Sequence, residues 1–184
     1  MSIATDMIVA NGADRADVAM LPTVGDWFVL RTRSRQEKIL AGELTAMGIG
    51  AYLPLARQVR TYAGRRVHVE VPLFPGYVFL RGDRDQGFQA DRTRRVAQMI
   101  CATRRELEWE LRNIAAALAV HCELLTYPTL QCGVRVQVIS GPLRGLQGVI
   151  ESRAKIDRLI LQVDMLGQAV SVELDGALLE AIYS

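Results

Sequence analysis

The first part of the chain alternates between the short apolar period of strands and the longer period of helices. The segment "DWFVLRT" (26–32) is rich in strand-forming residues and predicts the first strand. In "SRQEKILAGELTAMG", which follows, the apolar residues fall at helical spacing. Ser34 with Glu37 three residues later predicts a capping box at the start of this helix, and Gly48 predicts its end.

A hairpin and two further helices complete this part of the chain. The segment "GAYLPLARQVRTYAGRRVHVEVPLFPGYVFLRG" predicts a strand, a basic hairpin that turns near Ala63 and Gly64, and an aromatic strand. A short helix is expected over 86–93, a strand in "RRVAQMICA", and a long amphipathic helix in "RRELEWELRNIAAALAV". The apolar side of the long helix comprises Leu107, Leu111, Ile114 and Leu118. Alternating strands and helices predict an α/β sandwich from about Gly25 to His121, an antiparallel sheet covered by helices.

The pattern changes in the last third of the chain. "CELLTYPTLQC" has turn chemistry at Pro128 and no clear period, which predicts a linker over 122–131. Four short alternating segments follow, "VRVQVIS", "QGVIES", "RLILQVD" and "QAVSVEL", and "GALLEAI" closes the chain. Short strands separated by glycine-containing turns predict a small five-stranded barrel over 132–184 and an α+β protein overall.

Composition narrows the class of protein. The 184 residues are 50% hydrophobic and 23% charged, which suits a soluble globular protein with one mid-sized domain or two small ones. Residues 1–24 lack a basic start followed by an apolar core, so we expect a flexible tail and no signal peptide. Apolar runs fall short of the ~20 residues that a membrane-spanning helix needs, so no membrane contact is expected.

The three cysteines are odd in number and include no CxxC pair. We therefore expect neither a disulfide framework nor a thiolate zinc site. We expect Cys101 to be a core thiol, with Cys122 and Cys132 in the linker region. A reducing cytoplasm is the expected location.

The charges divide the chain into two parts. Between Arg57 and Arg105 there are eleven arginines and four acidic residues. From Cys132 onward there are five basic and six acidic residues. Clustered arginine raises the local potential and attracts anions, so phosphate or an acidic protein surface is the expected partner of the first part. A solvated arginine-rich face is the alternative.

Catalysis is not expected. The chain has two histidines, His68 and His121, and the "HVE" at His68 lacks the PCxxC pair that zinc deaminases require. We expect His68 to face solvent on the hairpin. GxSxG, Walker and GxGxxG motifs are missing from the sequence, so we predict no catalytic residue, no metal site and no cofactor.

Five segments together resemble the NusG family of transcription elongation factors and its specialised antitermination paralogues. They are "WFVLRTRSRQEKIL" with "AYLPL", "PLFPGYVFL", the KOW-type "GVRVQVISGPLRGLQGVI", and "LQVDMLGQAVSVEL". The resemblance extends from Asp26 to Ile182 and agrees in order and spacing. It implies an NGN-type N-terminal domain (25–121) and a C-terminal KOW domain with an SH3-like barrel (132–184).

The resemblance also implies a mechanism. In this family an apolar groove around the FPGY segment binds the clamp coiled coil of RNA polymerase, and the domain bridges the cleft to suppress pausing or termination. The residues carried over to such a groove are Phe74, Pro75, Tyr77 and Phe79, of which we expect Phe74 and Tyr77 to be the more accessible. We expect the protein to be a monomer.

Two further contacts follow from the same resemblance. Basic residues near the displaced non-template DNA strand correspond to Arg31, Arg33, Arg35, Arg94 and Arg95. The KOW domain would bind the ribosome or the Rho termination factor through exposed apolar residues, for which we select Leu143, Leu146, Met165 and Leu166.

Departures from the family pattern favour a specialised paralogue. After Val96 the chain enters a helix directly, without the Phe-Gly-rich stretch of general factors, and "GFQAD" lacks small hydroxyl residues where a gate-side contact would lie. Two alternative functions remain open. One is a ribosome-associated or RNA-binding KOW module that does not bind polymerase and uses the barrel and the arginine-rich hairpin on structured RNA. The other is an adaptor that binds a protein through the aromatic groove and has little affinity for nucleic acid.

Overall fold

The computed structural model describes residues 8–9, 24–62, 64–102, 105–119, 123–128, 134–153, 156–174 and 178–182. The helices in these ranges are α1 (Glu37–Ala46), α2 (Arg84–Arg92) and α3 (Arg105–Ala119). The strands are β1 (Ile8–Val9), β2 (Asp26–Thr32), β3 (Gly50–Tyr52), β4 (Leu55–Tyr62), β5 (Arg65–Pro72), β6 (Tyr77–Gly82), β7 (Val96–Ala102), β8 (Glu123–Pro128), β9 (Val134–Val138), β10 (Gln147–Arg153), β11 (Ile156–Val163), β12 (Gln168–Leu174) and β13 (Leu179–Ala181). None of the helices within the described ranges is long and apolar enough to cross a membrane.

The N-terminal module is built on a four-stranded antiparallel sheet in the order β3-β6-β2-β7. One face of this sheet, with Phe28 and Leu80, is buried together with Leu40 of α1. The opposite face, with Val29 and Phe79, is buried together with α3. Because both faces of β2 and β6 are covered, these strands carry nearly continuous apolar runs. The predicted α/β sandwich is confirmed.

The helix boundaries follow local chemistry. Asp83 caps α2 by accepting from the backbone N–H of Gln86, whose side chain accepts from the N–H of Asp83, so this capping box is complete. Helix α1 ends at Ala46, and Gly48 just beyond it adopts a left-handed conformation with φ of 73°, which agrees with the glycine stop that the sequence predicts.

The C-terminal module contains all five predicted strands, paired antiparallel in the order β13-β9-β10-β11-β12. A closed barrel is not seen in the described residues, because the outer edge of β12 pairs with β8. Strand β8 lies inside the segment predicted to be a linker, and its six residues extend the sheet where closure was expected.

The sheet of the C-terminal module continues into the N-terminal module through β1. Ile8 pairs with Gln58 of β4 on one side and with Leu124 of β8 on the other. This short strand falls within the segment predicted to be a flexible tail, and the rest of that segment up to residue 23 lies outside the described residues.

Helix α3 contacts both modules. Its apolar side, including Leu111 and Ile114, is fully buried as predicted. Glu110 and Asn113, on one flank of this side, are also buried, whereas Trp109 on the far side is 43% exposed. The backbone N–H of Asp164 donates to Glu110 Oε1 over 3.3 Å, and a pocket of about 500 Å³ separates the flank with Glu110 and Asn113 from β10 and β11. Helix α3 therefore contributes buried residues to the packing of both modules.

Candidate functional site

The segment Phe74 to Tyr77 forms a tight turn between β5 and β6. The Tyr77 backbone N–H donates to the Phe74 carbonyl over 3.2 Å, and Gly76 adopts a φ of 86°. Proline before a glycine with positive φ is the preferred sequence of a type II turn, because proline presets its own φ and glycine tolerates the next one. Pro75 and Gly76 therefore determine the shape of the chain at this point.

The turn is fixed to the rest of the module at Gly76. Its N–H donates to Glu37 Oε1 over 2.7 Å, and its carbonyl accepts from the Thr32 N–H over 2.8 Å. Glu37 is 8% exposed, so this is a buried, charge-assisted hydrogen bond. The capping box predicted for α1 is wrong, because the N-cap is Gln36 without a side-chain bond and Glu37 is used by the turn.

The aromatic residues around the turn divide into core and surface. Phe74 is 1% exposed and Phe79 is fully buried, and their rings meet edge to face with centroids 6.3 Å apart. The expectation that Phe74 is accessible is therefore wrong, because the sheet and α3 enclose it. Pro75 remains exposed and Tyr77 half-buried, and we call these two residues the turn surface.

Four exposed arginines lie at the same end of the sheet as the turn surface. Arg31 pairs with Tyr77 across β2 and β6, so both side chains lie on one face of the sheet. The backbone N–H of Arg33 donates to the Arg95 carbonyl over 2.8 Å, which joins the loop after β2 to the loop before β7. We call the exposed side chains on these loops and on β2 the basic end: Arg31, Arg33, Arg35 and Arg94.

Two residues of the basic end have strained backbones. Arg35 and Arg94 each adopt a φ of 58°, in the left-handed region that bulky residues rarely occupy. Such strain costs roughly 1–3 kcal/mol per residue and tends to occur at functional sites. Both arginines are exposed, so burial of their side chains does not account for the conformation.

Arg95, the fifth predicted DNA contact, has a different environment. Its Nε and one terminal nitrogen donate to the two carboxylate oxygens of Glu43 over 2.8 and 2.7 Å, and its other terminal nitrogen donates to Gln36. This hydrogen bonding lowers the pKa of Glu43 below its ordinary value. Arg95 therefore anchors the loop that carries Arg94 to α1.

The apolar residues selected in the C-terminal module are less exposed than expected. Leu143 and Leu146 are 6% and 3% exposed and belong to the core, so the expectation that they are surface residues is wrong. They lie in the turn before β10, and their side chains are buried in the core. Met165 and Leu166 are half-buried against the same core.

Two other expectations concern single residues. His68 is exposed on β5, as predicted. Cys101 is exposed on β7, so its assignment to the core is wrong, and Cys122 and Cys132 lie outside the described residues. In the described ranges no group of three His, Cys, Asp or Glu side chains could hold a metal ion.

The turn surface and the basic end both lie within a region that matches a protein family. The family model described as "Transcription termination factor nusG" matches residues 25–112, from the residue before β2 into α3. No curated protein matches the chain.

The turn geometry makes a prediction about Gly76. A Cβ at this position meets no atom within 4 Å, but the positive φ should make Gly76→Ala destabilising by about 1–2 kcal/mol. Gly42, inside α1, also has no atom within 4 Å of an added Cβ, and Gly42→Ala should stabilise the protein by about 0.5–1 kcal/mol. Urea unfolding of both variants measures the two changes. Equal effects of the same sign would contradict the turn assignment.

The Glu43–Arg95 pair predicts a pH-dependent contribution to stability. Because the pKa of Glu43 is lowered in the folded state, its ionised form stabilises the fold at neutral pH, and this contribution is lost as the pH falls through the lowered pKa. The difference in urea midpoint between wild type and Glu43→Gln should therefore be present at pH 7 and shrink in acid. Exposed Glu180→Gln is the control. A difference for Glu43→Gln that is the same at both pH values would argue against the pairing.

Proposed function

Since the chain belongs to the NusG family through residues 25–112, we propose that this transcription-associated protein is an elongation and antitermination factor that binds the RNA polymerase clamp. The observation that supports the proposal most directly is the pairing of Tyr77 with Arg31 on one face of the sheet. The turn surface, which is suited to binding protein, is therefore next to the basic end, which is suited to binding phosphate. A factor that binds polymerase beside DNA needs both surfaces.

The turn surface is the proposed polymerase contact. Tyr77 presents a half-buried ring against the core that includes α3, and Pro75 projects from a turn whose backbone is fixed by Glu37. Rigid aromatic and proline side chains lose little entropy when they bind, and an amphipathic helix is a common partner for such a surface. Phe74 and Phe79 support the surface from beneath.

The basic end is the proposed contact with the non-template DNA strand. Arg31 projects from β2, and the other three arginines project from two loops that are joined by a backbone hydrogen bond and anchored through Arg95. Arginine binds phosphate with pairs of parallel hydrogen bonds, and a single strand offers one phosphate per nucleotide.

A bridge between the two sides of the polymerase cleft would act without chemistry. It stabilises the closed, elongating state relative to the paused state by the difference in its affinity for the two. The C-terminal module would recruit a further partner, the ribosome or Rho, with Met165 and Leu166 as the accessible part of its apolar surface.

Polymerase capture tests the turn surface. Tyr77→Ala and Pro75→Glu should each reduce retention of core RNA polymerase on the immobilised full chain about tenfold or more, which is typical of a residue at the centre of an interface. Pro75→Glu places a charge on the turn surface without removing a buried contact. Phe88→Ala is the matched control, because Phe88 is an aromatic residue of α2 that is 58% exposed.

Circular dichroism establishes that each variant is folded. Retention of polymerase by both turn-surface variants at the wild-type level would refute the clamp contact. Failure of the folded wild type to retain polymerase, together with tight binding to structured RNA, would favour the RNA-binding module instead.

Single-stranded DNA tests the basic end. Arg35→Asn with Arg94→Asn removes two charges and supplies a residue that tolerates positive φ, so the variant should be at least as stable as wild type. The slope of log affinity against log salt for an oligonucleotide should fall in magnitude by about 1.4. Arg84→Gln with Arg112→Gln removes the same charge from exposed helix positions and should leave the slope unchanged. Equal slopes in the two variants would count against this contact.

A further inference from the structure

The outer half of the β4–β5 hairpin is exposed on both faces. Apart from Ala63, which is not described, every residue from Val59 to His68 is exposed. Strand β1 pairs with β4 only at Arg57 and Gln58, so the described pairings beyond that point join β4 and β5 alone. We call residues 59–62 and 64–68 the ribbon. Burial of apolar surface does not explain why it projects.

The base of the ribbon is attached to the N-terminal module. Lys38 Nζ donates to the Glu70 carbonyl over 2.7 Å, and the Leu73 N–H donates to the Pro54 carbonyl over 2.8 Å. Arg60 Nε donates to Gln58 Oε1 over 3.1 Å, which orients the first arginine of the ribbon. The base of the ribbon is therefore fixed to the N-terminal module.

The ribbon carries positive charge and no acidic residue. Arg60, Arg65 and Arg66 lie within it, and the nearest acid along β5 is Glu70, which pairs with Arg57 at the base. Three exposed side chains of the ribbon are apolar or aromatic: Val59, Tyr62 and Val67. Mixed cationic and apolar surface of this kind is typical of contact with nucleic acid.

The strand register places cations on both faces of the ribbon. Arg60 pairs with Val67 and Tyr62 with Arg65, and these residues lie on one face. Thr61 pairs with Arg66 and Val59 with His68, and these lie on the other. A partner with one flat, negatively charged surface would contact the side chains on only one face of the ribbon. A partner with a groove between two negatively charged surfaces would contact the side chains on both faces.

We propose that the ribbon binds double-stranded DNA by entering the major groove. The groove of B-form DNA is about 12 Å wide and 8.5 Å deep and admits a two-stranded β-ribbon between its two phosphate backbones. The four paired residues of each strand extend about 13 Å, enough to reach the groove floor. The major groove of A-form RNA is too narrow and deep for such an element, so duplex RNA does not fit.

This contact is separate from polymerase binding and from the single-strand contact of the basic end. It supplies affinity for duplex through phosphate pairs, while Val59, Val67 and Tyr62 meet base edges such as the thymine methyl group. The exposed arginines are then explained by a partner that neutralises them on both sides.

Fluorescence anisotropy of the full chain with a labelled 20-base-pair DNA duplex, without polymerase, tests the proposal. Arg60→Gln, Arg65→Gln and Arg66→Gln combined should weaken duplex binding more than tenfold at low salt and reduce the salt slope by about 2.7 in magnitude. The same three positions changed to Lys should keep the slope, since the charges remain. Arg84, Arg92 and Arg112 changed to Gln form the matched control, because they are exposed and lie on α2 and α3.

The duplex RNA of the same sequence distinguishes groove entry from general attraction to phosphate. Tighter binding of the DNA duplex, lost in the Gln variant and kept in the Lys variant, would support the proposal. Equal affinity for the two duplexes, or an unchanged salt slope in the Gln variant, would overturn it. Because the assay contains no polymerase, its failure leaves the clamp contact untouched.

Discussion

The hydrogen bond from the Gly76 amide to the Glu37 carboxylate holds together the end of the N-terminal module that carries the turn surface and the basic end. It connects the first turn of α1 with the turn between β5 and β6, which are 39 residues apart in the chain. A buried carboxylate is stable only when its oxygens are satisfied, so the turn and the helix stabilise each other. The same turn sets where β6 begins, and hence that Tyr77 stands beside Arg31.

Most of the secondary structure could be predicted from the sequence, because apolar periodicity and turn residues are local signals. The strand at 26–32, the glycine stop of α1 and the five C-terminal strands were all visible in this way. The accessibility of individual side chains within the aromatic segment could not be predicted in this way. Phe74 and Tyr77 look alike in a one-dimensional pattern, and only the packing of α3 against the sheet separates the buried ring from the half-buried one.

Two of the other differences share a physical origin, which is competition between distant segments for one partner. Glu37 has the right spacing for a capping box with Ser34, yet the Gly76 amide takes its carboxylate. The edge of β12 could have completed a barrel, yet it pairs with β8 instead. Leu143 and Leu146 sit in a turn that the sequence places at the surface, and their side chains fold inward. None of these outcomes leaves a local signal.

The position of α3 has a consequence for stability. Its apolar side packs on the sheet of the N-terminal module, and Glu110 accepts a hydrogen bond from the backbone of Asp164 in the C-terminal module. Local opening of this helix would therefore disrupt contacts in both modules. Loss of the Glu110 carboxylate would remove one direct link between them.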